Sequence, residues 1–269
     1  GLITLVGLLL MRAETAVAAP TSAISLSIPY TQVFNTLAIT GTGITWTDDS
    51  TIAGWYSTRP SYNTGNGSSN TGALYSFGST NSTERALGSV ASGGTNTLYY
   101  GVRLINDTPN PITLLKVSYT GEQWRNGGNT AQQSLNFSYQ IGASVTSLTD
   151  GTWIPISDLD FTSPVATATA AALDGNLPAN QTNVSYTIPL NIPIGQEIML
   201  RWTDINDSGN DHGLALDDVV ITNGALTYNS IIPDGDLSDW NDGSHLLGNN
   251  NSVDYYLTWD ATYLYVGFN

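Results

Sequence analysis

The stretch RWTDINDSGNDHGLALDDVVIT, residues 201–222, constrains the fold more than any other part of this sequence. It runs from the end of one strand, through an acidic loop, into a strand reading Gly213-Leu-Ala-Leu-Asp-Asp-Val-Val-Ile221. Beyond residue 25 the rest of the chain is built the same way, from short β segments separated by Gly, Asn, Ser and Asp clusters, as a sandwich requires. Leu135, Phe137, Tyr139 and Ile141 alternate with polar residues, and so do Leu98, Tyr100, Val102 and Leu104. A period of two puts each set on one face of a strand, and that face is expected to be core.

Strands are predicted at Ile24–Ser27, Leu37–Thr40, Trp55–Ser57, Leu74–Phe77, Leu98–Asn106 and Thr113–Thr120. Further ones are predicted at Gln133–Ile141, Trp153–Ile156, Asn183–Leu190, Glu197–Asp204, Leu214–Thr222 and Thr227–Ser230. Val165–Leu173 is the one stretch with helical propensity; a short helix and a loop both fit it. Prolines fall at proposed strand ends or edges, where a missing N–H is tolerated. The expected class is all-β.

Composition narrows the function classes. With 7 basic against 22 acidic residues the net charge is −15, so binding to nucleic acid or anionic membrane through a basic patch is not expected. Cysteine is absent, which removes disulfides and thiolate metal sites. The only histidines are His212 and His245, too few for a multi-histidine zinc centre. After the leader the glutamates are Glu84, Glu122 and Glu197, none in a paired acidic motif of the glycosidase kind. No G-x-S-x-G elbow occurs. The sequence reads as non-enzymatic.

Residues 1–19 read as an N-terminally truncated signal peptide: Leu2–Leu10 is apolar but too short to span a bilayer, and Ala16-Val17-Ala18 fits a small-residue cleavage site. Residues 20–225 form the expected sandwich. Residues 226–269 carry Asp234-Gly-Asp-Leu-Ser-Asp-Trp240 and Trp259-Asp-Ala-Thr-Tyr-Leu-Tyr-Val266, with two strands expected around the turn Asp260-Ala-Thr262. About 40 residues are too few for a sandwich, so this unit reads as the incomplete start of a second one.

Two resemblances follow. Residues 28–224 resemble a jelly-roll-like accessory domain found near the N-terminus of large secreted bacterial proteins, ahead of lamin-tail, extracellular-nuclease, sugar-binding or surface-anchor modules. Gly54-Trp-Tyr56, Thr71-Gly-Ala-Leu-Tyr-Ser-Phe-Gly78, Glu84-Arg-Ala-Leu-Gly88, Tyr119-Thr-Gly-Glu-Gln-Trp-Arg125, Leu173-Asp-Gly-Asn176 and the 201–222 pair carry it. Residues 231–268 resemble the opening of a family 9-type carbohydrate-binding or DOMON-like module. The resemblances imply a jelly-roll-like antiparallel β-sandwich, followed by a truncated second one, in a secreted, extracellular or cell-surface chain with no transmembrane segment in its mature form.

Two groups of residues are candidates for chemistry. Asp204, Asn206, Ser208 and Gly209 occupy the first, third, fifth and sixth positions of a calcium-loop pattern. The twelfth, a bidentate Glu in an EF-hand, is Ala215, so an EF-hand is excluded. A carbonyl at Asn210 and the carboxylate of Asp217 or Asp218 are the expected substitutes, and a metal-free Asx-turn is the competing reading. Glu122, Trp124 and Arg125 offer a ring for sugar stacking with flanking groups for hydroxyls; the competing reading is a buried Trp beside an Arg–Glu pair. His212, beside Asp211, is a candidate ligand or base, or simply a cap on the loop. The function expected is a non-catalytic binding or spacer module of a larger secreted protein, with carbohydrate or a cell surface as partner, further domains in the same chain, and structural calcium. The alternatives are the accessory domain of a secreted hydrolase such as a nuclease, and a purely structural adhesion element.

Overall fold

A computed structural model of the chain describes residues 23–224 and the strands 246–250, 253–259 and 264–268. The chain divides into two compact units, Gly1–Asn223 and Gly224–Asn269. The expected leader, the strand Thr227–Ser230 and the Asp234–Trp240 phrase lie outside the described residues.

The first unit opens with β1 (Ile24–Ser25), β2 (Tyr30–Gln32), β3 (Ile44–Thr45), β4 (Trp55–Ser57), β5 (Ser61–Gly65) and β6 (Ala73–Phe77). Next come β7 (Ala86–Val90), β8 (Leu98–Ile105), β9 (Ile112–Asn126), β10 (Ser134–Gly142) and β11 (Ile154–Pro155). After a 3-10 turn at Ser157–Leu159 follow β12 (Phe161–Thr162), β13 (Ala171–Ala172), β14 (Gln181–Ile192), β15 (Glu197–Asp204) and β16 (Gly213–Asn223). Sheet A has the order β1-β8-β15-β10-β11, with β4 also on β8 and β12 also on β10. Sheet B runs β13-β9-β16-β7-β6-β5-β3, with β14 on β9 and β2 on β16. The fold is all-β and sandwich-like, as the alternation predicts. One refinement is needed to the antiparallel expectation: β1 pairs with β8, and β5 with β6, in parallel, so both sheets are mixed.

The core lies between the sheets. Tyr100, Val102 and Leu104 of β8 are buried there, with Leu135, Phe137 and Tyr139 of β10 and Leu200 and Trp202 of β15. Sheet B answers with Leu115, Val117 and Tyr119 of β9 and Leu214 and Leu216 of β16. Trp202 is the centre: it stacks on Trp55 at 5.7 Å and meets Tyr119 and Phe137 edge-on at 5.5 and 5.2 Å. Burying an aliphatic or phenyl side chain in such a core contributes roughly 2–3 kcal/mol, and Trp202 buries more area still.

One local expectation fails and one open alternative is decided, each for a visible reason. Leu37–Thr40 is not a strand; Phe34 takes a left-handed φ of 49°, and Leu37 N–H donates to the Phe34 carbonyl, so a turn delivers Leu37 to the core. Val165–Leu173 is not a helix. Its carbonyls at Val165, Thr167 and Thr169 accept from the side-chain amides of Gln123 and Asn126, and those bonds compete with helical ones. In the second unit β17 (Leu246–Asn250), β18 (Val253–Trp259) and β19 (Leu264–Phe268) form an antiparallel sheet, with Trp259 opposite Leu264 as the expected hairpin requires.

Candidate functional sites on the two outer faces

Alternation that sends one set of residues inward sends the other set outward, and each sheet carries a distinct group of side chains on its outer face. On sheet B, β9, β16 and β7 are neighbours. Glu122 on β9 and Asp217 on β16 share the outer face with Ala215, Ala86 and Trp124, which form a small second core with Tyr75, Phe77 and Val90. Glu84 comes from the turn before β7. Ligand oxygens of Glu84, Glu122 and Asp217 all lie within 4.8 Å of one another. Glu122 and Asp217 are 2% and 5% exposed.

Few partners meet these carboxylates. Trp124 Nε1–H donates to Glu122 Oε2 at 2.8 Å, and Asn176 Nδ2–H donates to Glu84 Oε2 at 2.6 Å. Glu84 Oε1 and Asp217 Oδ1 are buried without a hydrogen-bond partner. Burial, and then the negative charges of Glu84, Asp218 and Asp174, push Glu122 up to about 7 against the bond from Trp124. Burial, with Asp218, Glu122 and Glu84 adding to it, pushes Asp217 up to about 9.

The sugar-stacking expectation for Trp124 is corrected here. Its ring is 1% exposed and stacks parallel on Phe77, which stacks on Tyr75, so it is no open platform. The covering loops press close. A Cβ at Gly175 would meet the indole, and one at Gly67, whose φ is +80°, would run into the Trp124 carbonyl. Glu122 bonds to Trp124, and Arg125 donates to the Gly67 and Ser68 carbonyls at 3.0 and 3.2 Å. The Trp is thus buried, as the competing reading has it, and among the hydrogen bonds of this region Glu122 serves the indole instead of Arg125.

The acidic loop after β15 is held by amides. Asn129 donates to the carbonyls of Ser208 and Asn210, and Gln133 also donates to Asn210, occupying the carbonyl expected for an ion. Asp211 Oδ1 accepts from the Asp207 N–H at 2.8 Å, and Gly209 supplies the left-handed φ of +96°. Asn206 and Ser208 are exposed, while Asp204 is buried and accepts from Ser89 Oγ at 2.6 Å. Burial, with Asp211 and Asp207 adding to it, raises Asp204 to about 7. His212 is fully buried and its Nδ1 accepts the Gly127 N–H, which suits a cap on the loop. Asp217 does not join Asp204; among the described residues, the group of acidic, His or Cys side chains able to share one ion is Glu84, Glu122 and Asp217.

The outer face of sheet A carries residues that sequence reading passed over. Arg103 on β8 and Glu197 on β15 form a bidentate pair at 2.8 and 2.6 Å, 4% and 0% exposed. The Val145 N–H also donates to Glu197, and Arg103 reaches the Tyr56 hydroxyl. Those bonds hold the arginine proton more tightly than usual despite burial. Next along the face is Arg201, opposite Gly101 on β8 and Ser138 on β10. Its guanidinium lies 3.7 Å from the Trp153 ring centroid and 4.7 Å from that of Tyr99, and donates to Ser138 Oγ and the Leu148 carbonyl. Tyr99, Thr203 and Asn136 form the next cross-strand row. Tyr99, Trp153, Arg201 and Asn136 are half-buried. The signal was present in the odd positions of 98–105 and 197–204, which the core argument set aside.

No family model and no curated protein matches the chain. Among solved structures it is similar to the K2 cleaved adhesin domain of Lys-gingipain, at 15% identity over 73% of this chain and 98% of that one, TM-score 0.37. It is similar to the xylan-binding domain from carbohydrate-binding family 22, at 13% identity over 67% and 94%, TM-score 0.37. A family 11 carbohydrate-binding module from Clostridium thermocellum, in complex with a β-1,3-1,4-mixed-linked tetrasaccharide, gives 12% over 68% and 97%, TM-score 0.32.

Proposed function

We propose that the chain is a non-catalytic binding module of a larger secreted protein and that it takes carbohydrate on the outer face of sheet A. The observation that carries this reading is the group Trp153–Arg201–Tyr99, half-buried, with Tyr99 and Arg201 on paired strands and Trp153 at the end of the 143–153 connection. Aromatic faces pack against the apolar faces of sugar rings, while a fixed guanidinium and neighbouring Thr203 and Asn136 supply bonds to hydroxyls. Groups held by a sheet keep their spacing without ordering cost on binding. Catalysis is disfavoured by the geometry of the opposite face, on sheet B. The carboxylates of Glu122 and Asp217 are buried, so a glycosidic bond has no path to them.

Binding of soluble plant and bacterial polysaccharides, measured by affinity electrophoresis and then by calorimetry with oligosaccharides, tests the reading. Trp153→Ala and Arg201→Ala are each expected to weaken binding at least tenfold, and Trp124→Phe to leave it unchanged. Wild-type chain that binds no glycan of the panel would leave the spacer role in its place.

A further inference from the structure

We propose that Glu84, Glu122 and Asp217 hold one divalent cation, calcium, on the outer face of sheet B. This rests on the carboxylate cluster alone and stands apart from the sugar-binding reading. Three elements distant in sequence converge: the turn before β7, β9 and β16. Their carboxylate oxygens come within 4.8 Å of one another. Convergence of acidic groups alone would be weak support, since such groups cluster on many surfaces. Here a second observation points to a ligand. Asp217 is 5% exposed, yet its Oδ1 has no hydrogen-bond partner, and neither has Glu84 Oε1. A buried carboxylate oxygen left unpaired costs free energy that a folded protein normally recovers from a donor or an ion.

Among the described residues no side-chain cation fills that role. The charges acting on Glu122 and Asp217 are those of each other and of Glu84, Asp174 and Asp218, all negative. Arg85, next to Glu84, donates to the Ser76 hydroxyl and carbonyl, and Arg125 donates through Nη1 to the Gly67 and Ser68 carbonyls. The donor set is all oxygen, without sulfur or imidazole, which selects hard cations. Ligands spread over a turn and two strands suit calcium, which accepts six to eight oxygens in loose geometry, better than magnesium. The negative charges of Asp174 and Asp218 also act on Glu122 and add to the attraction for a cation. The ion would tie the turn before β7 to β9 and β16, beside the buried Trp124.

The test uses the whole chain stripped with EDTA, then titrated with calcium chloride by calorimetry and thermal melting. Wild type is expected to bind one calcium and to melt several degrees higher when saturated. Asp217→Asn and Glu84→Gln should each weaken binding at least tenfold; the half-buried Glu84 position covers the case in which the Asp217 variant does not fold. A loop variant, Asn206→Ala with Ser208→Ala, should bind as wild type does. Terbium offers a second readout, because an ion on Glu122 sits beside the Trp124 indole and its emission should be sensitised by that ring. Absence of calcium binding in wild type, unchanged affinity in Glu84→Gln and Asp217→Asn, or loss of binding in the loop variant would each overturn the proposal.

Discussion

The outer faces of the two sheets bury charge to nearly the same depth and treat it in opposite ways. On sheet A, Arg103 and Glu197 neutralise each other through two hydrogen bonds, and a backbone amide and the Tyr56 hydroxyl finish the set. On sheet B, Glu84, Glu122 and Asp217 share one small space with an indole and an asparagine amide and, among the described residues, no side-chain cation. A paired site is self-sufficient and indifferent to solution conditions near neutrality. A like-charged cluster depends on protons or on an ion, and so couples the fold to the medium. The same chain thus carries a fixed fastening on one face and a conditional one on the other.

The largest effect should come from breaking the self-sufficient site. Glu197→Gln leaves Arg103 buried with half its partners, and urea unfolding should lose about 3–5 kcal/mol relative to wild type. A loss under about 1 kcal/mol would mean that the pair is less buried in solution than its geometry implies. The conditional face should respond to pH. Glu122 and Asp217 have folded values of about 7 and about 9, above the roughly 4 of unfolded carboxyls. Between those limits the folded state binds more protons than the unfolded one, so stability in EDTA should fall as pH rises from about 5 to about 9. The total fall should be of the order of a few kcal/mol, reduced in Asp217→Asn, and calcium should flatten it. Asp204, raised to about 7, adds a smaller slope of the same sign that the Asp217 variant retains. Smaller still is Trp124→Phe, which keeps a ring on Phe77 but removes the bond to Glu122. It should cost about 1–2 kcal/mol in chemical unfolding and extend the Glu122 part of the pH slope above pH 7.

How much of this was legible in the sequence differs between fold and site. The strands at Leu98–Ile105 and Ser134–Gly142 announce themselves because apolar residues recur at every second position. Ser61–Gly65 and Ala86–Val90 do not, since their Gly and Ser residues carry no pattern, and their pairing with neighbours defines them. Asp217 was visible as a candidate ligand, but spacing assigned it to the loop that ends at Asn210. Its partners Glu84 and Glu122 come from far off along the chain, and only the strand order β9-β16-β7 brings them together. A bulge after Asp217, with Asp218 at a φ of 49°, keeps Asp217 inside and turns its neighbour out. Trp124 in a Glu-Gln-Trp-Arg segment has the composition of a sugar platform. What makes it a buried side chain is the closure of the 66–72 and 165–176 loops over it, which no local pattern reports.

Calcium calorimetry in two buffers of different ionisation enthalpy tests the central claim most directly. If the ion binds carboxyls whose values are about 7 and about 9, binding at pH 7 must displace protons, and the apparent heat must change with the buffer. The account predicts release of roughly one to two protons per calcium at pH 7, shrinking toward zero above pH 9, with both the binding and the release lost in Asp217→Asn. Calcium heats that are the same in both buffers, or a proton release that survives in Asp217→Asn, would contradict it.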